Sequence, residues 1–148
     1  MNDDRILPYK DKLWEYFLNN TFSQFDRARL MFTIGELIDA LEKLPDDIPV
    51  RFDRGGSPGE LDSYRGCYED LAFQRGKKIT VGELLTECKS MVGKTIMGYK
   101  GGAYTMHRST PVWVSEWGES SGIGLVGHEE YPSEKGRTFI LTTREINP

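Results

Sequence analysis

The chain has 148 residues, of which 38% are hydrophobic and 28% charged, a composition that fits one globular domain and excludes a disordered chain. Its net charge of -4 argues against general nucleic-acid binding, which needs a broad basic field. No apolar run approaches the ~20 residues that cross a bilayer, and the acidic start MNDDRILPYK lacks the features of a signal peptide. We therefore expect a cytoplasmic protein without a membrane partner, with buried free thiols at Cys67 and Cys88.

Residues 1–32 predict a helical arm that precedes an α+β core at 33–148, the two forming a single domain. One apolar helix face is formed by Leu13, Trp14, Phe17 and Leu18. The poor helix formers at 19–21 predict a break, followed by a second short helix over about 23–30. An arm so rich in aromatic residues suggests a contact between subunits, hence a homo-oligomer, and packing within the core is the alternative.

Two capping boxes predict the helices of the core. Thr33 with Glu36, and Thr80 with Glu83, match the pattern in which a Thr hydroxyl and a Glu carboxylate each bond the other's backbone N–H. Helices are therefore expected over about 34–44 and 81–92, and both glutamates are expected to be caps. The 47-position offset between the two boxes leaves open an internal duplication.

The remaining elements are expected to be strands and turns. Residues 54–66, rich in glycine, predict a long polar loop, and residues 111–143 predict an antiparallel meander interrupted by a turn at 118–122 and a loop at 131–136. The predicted fold is α+β: a helical arm, two capped helices, and a mostly antiparallel sheet that ends in the meander. The predicted strands are Val50–Asp53, Cys67–Phe73, Thr95–Tyr99, Pro111–Trp117, Ile123–Val126 and Thr138–Thr143.

Two glycine motifs resemble nucleotide-binding signatures but stand in the wrong context. Gly122 to Gly127 reads GxGxxG, yet a turn precedes it and a proline follows, whereas a dinucleotide site needs a strand before it and a helix after it. Gly93-Lys94-Thr95 resembles the end of a P-loop, but it follows a helix and Cys88 replaces the required first glycine. Neither signature is therefore assigned.

Catalytic and metal-binding patterns are weak. The only histidines, His107 and His128, lack the spacing of metal ligands, so we predict no metal, no cofactor and no catalytic residue. A nucleophilic pair of His107 with one of the two cysteines remains an alternative. His107-Arg108-Ser109 has the form of one phosphoesterase motif, but the second histidine lacks the matching hydroxyl. Glu116 and Glu119 flank Trp117 and are the remaining acid–base candidates.

The segment from Gly93 to Gly127 predicts a binding surface. It contains eight of the sixteen glycines and two of the three tryptophans, and no acidic residue occurs between Glu87 and Glu116. Glycine turns expose backbone N–H groups to anions, cations add charge, and aromatic faces accept a planar ring. The alternative is that the glycines form turns and the tryptophans fill the core. The residues predicted to bind a small anionic, nucleotide-like ligand are Tyr64, Arg65, Tyr99, Lys100, Gly101, Gly102, Tyr104, Arg108, Trp113 and Trp117.

Acidic residues concentrate in a different part of the chain. Residues 36–70 contain ten acids and four bases, whereas the segment between Glu87 and Glu116 is basic. This contrast predicts either two solvated faces of one fold or an acidic face beside an anion-attracting patch. The acidic face at 36–70 would suit binding to a basic partner protein.

Residues 33–127 resemble a family of small bacteriophage-encoded proteins of uncharacterised function. The resemblance rests on TIGELIDALEKLPDDIPVRFD, SPGELDSYRGCYEDLAF, TVGELL, GKTIMGYKGGAYTM and TPVWVSEWGESSG, in that order, and it does not include the arm. It implies counter-defence in an infected bacterium. The leading hypothesis is a non-enzymatic protein that sequesters a nucleotide-like signalling molecule. The alternatives are an inhibitor that binds a host defence protein through the acidic 36–70 face, and a phosphoester hydrolase that uses His107 with Glu116 or Glu119.

Overall fold

The computed structural model describes residues 24–98, 101–116, 119–133 and 136–146. Most of the predicted arm lies outside these residues, and its described part is one short helix. The helices are α1 (Gln24–Leu30), α2 (Ile34–Leu41) and α3 (Val81–Met91). The strands are β1 (Pro49–Phe52), β2 (Ser57–Tyr64), β3 (Cys67–Gly76), β4 (Ile79–Thr80), β5 (Thr95–Met97), β6 (Ala103–Thr105), β7 (Val112–Glu116), β8 (Glu119–Ser133) and β9 (Gly136–Glu145).

Seven of these strands form one sheet in the order β2-β3-β7-β8-β9-β1-β4, and β5 pairs with β6 in a separate hairpin. Four neighbouring pairs in the large sheet are antiparallel, and two, β3 with β7 and β1 with β9, are parallel. The predicted α+β class with a mostly antiparallel sheet is therefore confirmed. The final three strands pair consecutively, as the predicted meander requires.

Both predicted capping boxes are present. The Thr33 N–H donates to Glu36 Oε1 at 2.9 Å, and the Thr80 N–H donates to Glu83 Oε1 at 3.0 Å. In return, each threonine hydroxyl accepts from the backbone N–H of its glutamate. Because these bonds satisfy N–H groups that a helix start leaves without partners, they fix where α2 and α3 begin.

The two capped helices also dock in the same way. The N–H groups of the first two residues of α2 donate to the carbonyls of Thr110 and Arg108, at 2.9 and 2.8 Å. Those of α3 donate to Ile48 and Asp46, at 2.8 and 2.9 Å. In each case a strand, β7 or β1, begins next to the residues that supply these carbonyls, and a hairpin follows that strand.

The chain thus contains two similar halves, α2-β1-β2-β3 and α3-β7-β8-β9. The capping boxes are 47 positions apart, but the equivalent prolines where β1 and β7 start, Pro49 and Pro111, are 62 apart. The β5–β6 hairpin, which lies between α3 and β7, accounts for the extra length of the second half.

The sheet is covered on both faces. On the helix face, which we define by its contact with α2 and α3, the buried residues include Phe73, Val112 and Val114. On the arm face, Trp113 and Tyr64 pack with Leu30 and Met31, at the end of α1. Successive residues of β7 alternate between the two faces, so this strand is buried on both sides.

Two connections were predicted wrongly. The glycine-rich stretch 54–66 is mostly strand β2, because it pairs with β3 and accommodates its irregular backbone in register shifts. Residues 119–133 form one long strand, β8, although a turn at 118–122 and a loop from 131 were expected. Pairing with β9 from Ile123 to Ser133, and with β7 at Glu119, overcomes these local turn signals. Among the described residues, no helix is long and apolar enough to span a membrane.

Candidate functional site

Two of the predicted binding turns lie next to each other. The rings of Tyr68, which follows the β2–β3 turn, and Tyr104 are 6.2 Å apart and nearly parallel. Gly98 lies between them, and a Cβ there would come within 2.9 Å of the Tyr104 ring and 3.1 Å of the Tyr68 ring. Gly101 and Gly102 are exposed and have φ values of 97° and 89°, which only glycine adopts readily. Contact between these two turns is therefore part of the fold.

The predicted aromatic platform lies elsewhere and is covered. Tyr64 and Trp113 stack face to face with ring centroids 4.3 Å apart, and they are 0% and 2% exposed. The Tyr64 hydroxyl accepts a hydrogen bond from the Gly122 N–H at 2.9 Å. Both rings belong to the arm face, whereas Tyr104 packs on the helix face. A ligand could reach either ring only after displacing this packing.

The other predicted ligand residues are dispersed. Arg65 is exposed in the β2–β3 turn. Arg108 is paired with Asp39 on α2 at 2.7 Å and donates to the Gly35 carbonyl at 3.2 Å. Tyr99, Lys100 and Trp117 lie outside the described residues. The structure therefore brings together Gly101, Gly102 and Tyr104 but separates them from the Tyr64–Trp113 pair and from Arg108.

A buried ion pair joins α1 to the arm face. Arg27 donates from Nε to Asp70 Oδ2 at 2.7 Å, and the indole N–H of Trp113 donates to the same oxygen at 2.9 Å. Burial raises the pKa of the Asp70 carboxyl, although the Arg27 guanidinium and the indole N–H act to lower it. Each of these groups has a partner within the fold, so the network holds α1 in place.

The cysteines and His107 do not form a nucleophilic site. Cys88 is fully buried, and burial raises its thiol pKa. Burial also raises the pKa of the half-buried Cys67 thiol, which disfavours the thiolate that would act as a nucleophile. His107 Nε2 shares a hydrogen bond of 2.9 Å with the side chain of Gln24. Within the described part of the chain, no cluster of three or more His, Cys, Asp or Glu side chains is placed to hold a metal.

The acidic stretch 36–70 does not form one surface. Asp39 and Glu42 belong to the region of α2 and pair with Arg108 and Lys89, two cations of the basic segment. Asp70, by contrast, is buried on the arm face. Part of the acidic stretch is thus paired with the basic segment in three dimensions.

A groove lies between α2 and the β8–β9 hairpin, with a volume of about 360 Å³. This volume is at the lower end of the range typical of small-ligand pockets. We call it the α2 groove. Its lining residues are Phe32, Glu36, Asp39, Ala40, Lys43, Leu44, His128, Glu130, Arg137 and Phe139.

One end of the α2 groove is aromatic. The His128 ring lies between Phe32 and Phe139, with ring centroids 5.6 and 5.0 Å away. Phe139 is fully buried, Phe32 is half-buried and His128 is exposed. The described residues provide no hydrogen-bond partner for the imidazole nitrogens. This end therefore presents a polar ring, held by two phenyl rings, to an incoming ligand.

The other end carries positive charge. Lys43 follows α2 and has no ion-pair partner among the described residues, while Arg137 of β9 is paired with Glu130 of β8. At the aromatic end, Glu36 is held by its capping box. With a rise of about 1.5 Å per helical residue, Glu36 and Lys43 are separated by roughly 10 Å along the groove. The groove thus has an aromatic end and a cationic end.

The sequence patterns do not predict this groove. They indicate His128 only as a weak candidate for a metal ligand or catalyst, and they assign no role to Phe32 or Arg137. An aromatic residue directly before a capping box is a local signal that could have drawn attention to Phe32. The groove itself arises from the pairing of segments about 90 positions apart, which no local pattern reports.

Comparisons with known proteins provide no further assignment: no protein-family model, no curated protein and no solved structure matches this chain.

Proposed function

We propose that this protein binds a small nucleotide-like anion in the α2 groove and holds it without chemical change. The observation that carries this proposal is the division of the groove into an aromatic end and a cationic end. A base could stack against His128 and Phe32, and a phosphate could meet Lys43 and Arg137. The separation of roughly 10 Å between the ends suits the length of a nucleoside monophosphate.

The carboxylates of the groove support binding of the sugar and base. Ribose hydroxyls and exocyclic amines donate hydrogen bonds, and carboxylate oxygens accept them. Asp39 and Glu130 each have a cationic partner, which keeps the acids from repelling a phosphate as strongly as free carboxylates would. The proposal thus retains the ligand class expected from the sequence and places it in a different part of the fold.

The partners of the acidic groups favour sequestration over catalysis. A general base needs to be oriented toward a reacting proton, and a nucleophile needs an activating neighbour. In the described residues of the groove, Glu36 is used as a cap, Asp39 and Glu130 are ion-paired, and His128 has no orienting hydrogen bond. In an infected bacterium, such a binder would lower the free concentration of a nucleotide signal used in host defence.

The test is a titration of the full chain with adenosine 5′-monophosphate by isothermal calorimetry. We expect saturable binding and a loss of about tenfold or more in affinity for Arg137→Ala and for Lys43→Ala, because each removes a charge-assisted contact. Lys78→Ala, which removes an exposed lysine outside the α2 groove, is the matched control and should bind as the parent does.

Two results would contradict the proposal. Absence of binding at millimolar nucleotide, or equal weakening by Lys78→Ala, would show that the α2 groove is not the site. Recovery of hydrolysed nucleotide after incubation and heating would show that the protein acts as an enzyme.

A further inference from the structure

A second recess adjoins the cationic end of the α2 groove. It has a volume of about 290 Å³ and is lined by Pro45, Asp47, Ile48, Pro49, Gly136 and Arg137. Arg137 lines both cavities, and Leu44 of the α2 groove is followed directly by Pro45 of the recess. The two cavities are therefore neighbours on either side of one arginine.

The backbone keeps this junction open. Gly136 begins β9 with a φ of 117°, a conformation that other residues rarely adopt, and apart from its chain neighbours no described residue has an atom within 4 Å of the position that a Cβ would occupy. No side chain at this position narrows the passage beside Arg137. The guanidinium can thus be approached from either cavity.

The recess differs chemically from the α2 groove. Two prolines and Ile48 provide apolar surface, on which a sugar or a base can pack. Asp47 is exposed and forms no ion pair among the described residues, so its carboxylate is available to accept from a hydroxyl or an amine. These groups suit a nucleoside, and among the described residues that line the recess the one cation is the shared Arg137.

We infer that the ligand of this protein is a dinucleotide, with its linking phosphate at Arg137 and one nucleoside in each cavity. This inference rests on the proposed function, since it assigns the first nucleoside to the α2 groove. A guanidinium is well suited to the central position because its planar donors can bond two phosphate oxygens at once.

The experiment compares adenosine 5′-monophosphate with the dinucleoside monophosphate ApA by calorimetry on the full chain. We expect the affinity for ApA to be about tenfold higher than that for adenosine 5′-monophosphate, or more. The second nucleoside adds contacts at little further cost in rigid-body freedom. Asp47→Trp, which fills the recess, should remove this advantage and leave the affinity for the mononucleotide unchanged. Asp47→Ala should reduce the advantage in part.

Each outcome has one meaning. If the mononucleotide binds and ApA binds no more tightly, the dinucleotide inference is overturned and the proposed function stands. If Asp47→Trp weakens both ligands equally, or neither, the second nucleoside does not occupy the recess and the inference is again overturned. If neither ligand binds the parent chain, the proposed function falls and the inference falls with it.

Discussion

The two halves of the molecule begin alike and produce different grooves. Four residues after its cap glutamate, α2 has Ala40, whereas α3 has Glu87 at the equivalent position. The groove beside α3 has a volume of about 280 Å³, and the Glu87 carboxylate reaches across it to accept from the Leu61 N–H of β2 at 2.9 Å. The half with alanine has a small side chain at this position, and the half with glutamate has a side chain that bonds the neighbouring strand.

The residue before each capping box also differs between the two halves. Phe32 precedes the first box and contributes to the aromatic end of the α2 groove, while Ile79 precedes the second and lines the groove beside α3. Under the proposed function, one helix-and-hairpin plan serves ligand binding in one half and internal bracing in the other. A few side chains decide between the two.

The largest expected effect is on the free energy of unfolding, and it tests whether α2 and α3 contribute equally to the core. Leu37 of α2 and Leu84 of α3 occupy equivalent positions, and both are fully buried. We expect Leu37→Ala and Leu84→Ala each to lower the free energy of unfolding by about 3 kcal/mol, because each leaves a cavity in one shared core. Urea denaturation followed by circular dichroism measures this. A loss confined to one variant would contradict the structural equivalence of the halves.

A smaller expected effect, on binding affinity, tests the role of Ala40. Ala40→Glu introduces into the α2 groove the residue type that spans the groove beside α3, and it adds negative charge near the proposed phosphate. We expect affinity for adenosine 5′-monophosphate to fall on the order of a hundredfold, about 2.7 kcal/mol. Ala40→Ser is the matched control, since a small side chain should preserve binding. Unchanged affinity in the glutamate variant would place the ligand outside the groove.

The smallest expected effect is a loss of stability. It concerns the first turns of α2 and α3, which lie close to the loops whose carbonyls they bond. A Cβ at Gly35 would lie 2.8 Å from the Arg108 carbonyl oxygen, and one at Gly82 would lie 3.0 Å from Asp46 Cβ. We expect Gly35→Ala to destabilise the fold by about 2 kcal/mol and Gly82→Ala by about 1 kcal/mol, since overpacking costs more against fixed backbone. Thermal unfolding shows which of the two variants is less stable. A stabilised Gly35→Ala variant would show that the loop at Arg108 can move away.

Local signals predicted the helices of the core well. Each capping box depends on residues three positions apart, so the starts of α2 and α3 were readable from the sequence. The meander was also predicted, because alternating apolar residues mark β7 and β9. The long strands β2 and β8 were not, because pairing with distant partners overrode the glycines and prolines in them.

The candidate site was less predictable for a physical reason. Tyr64 and Trp113 have the chemistry of a stacking surface, but burial against α1 and each other gives them a structural role that composition does not reveal. The α2 groove combines residues from either end of the chain, so its existence depends on the tertiary fold. The predicted homo-oligomer and host-protein partner stay predictions.

The parallel pairing of β1 with β9 has a consequence for how the protein is made. Val50 of β1 lies opposite Phe139 of β9, so the first half cannot complete its side of the sheet until most of the chain has left the ribosome. At about 5–20 residues per second, β1 waits several seconds for its neighbour. During that interval, the edge of β1 that later pairs with β9 is open to pairing with other chains.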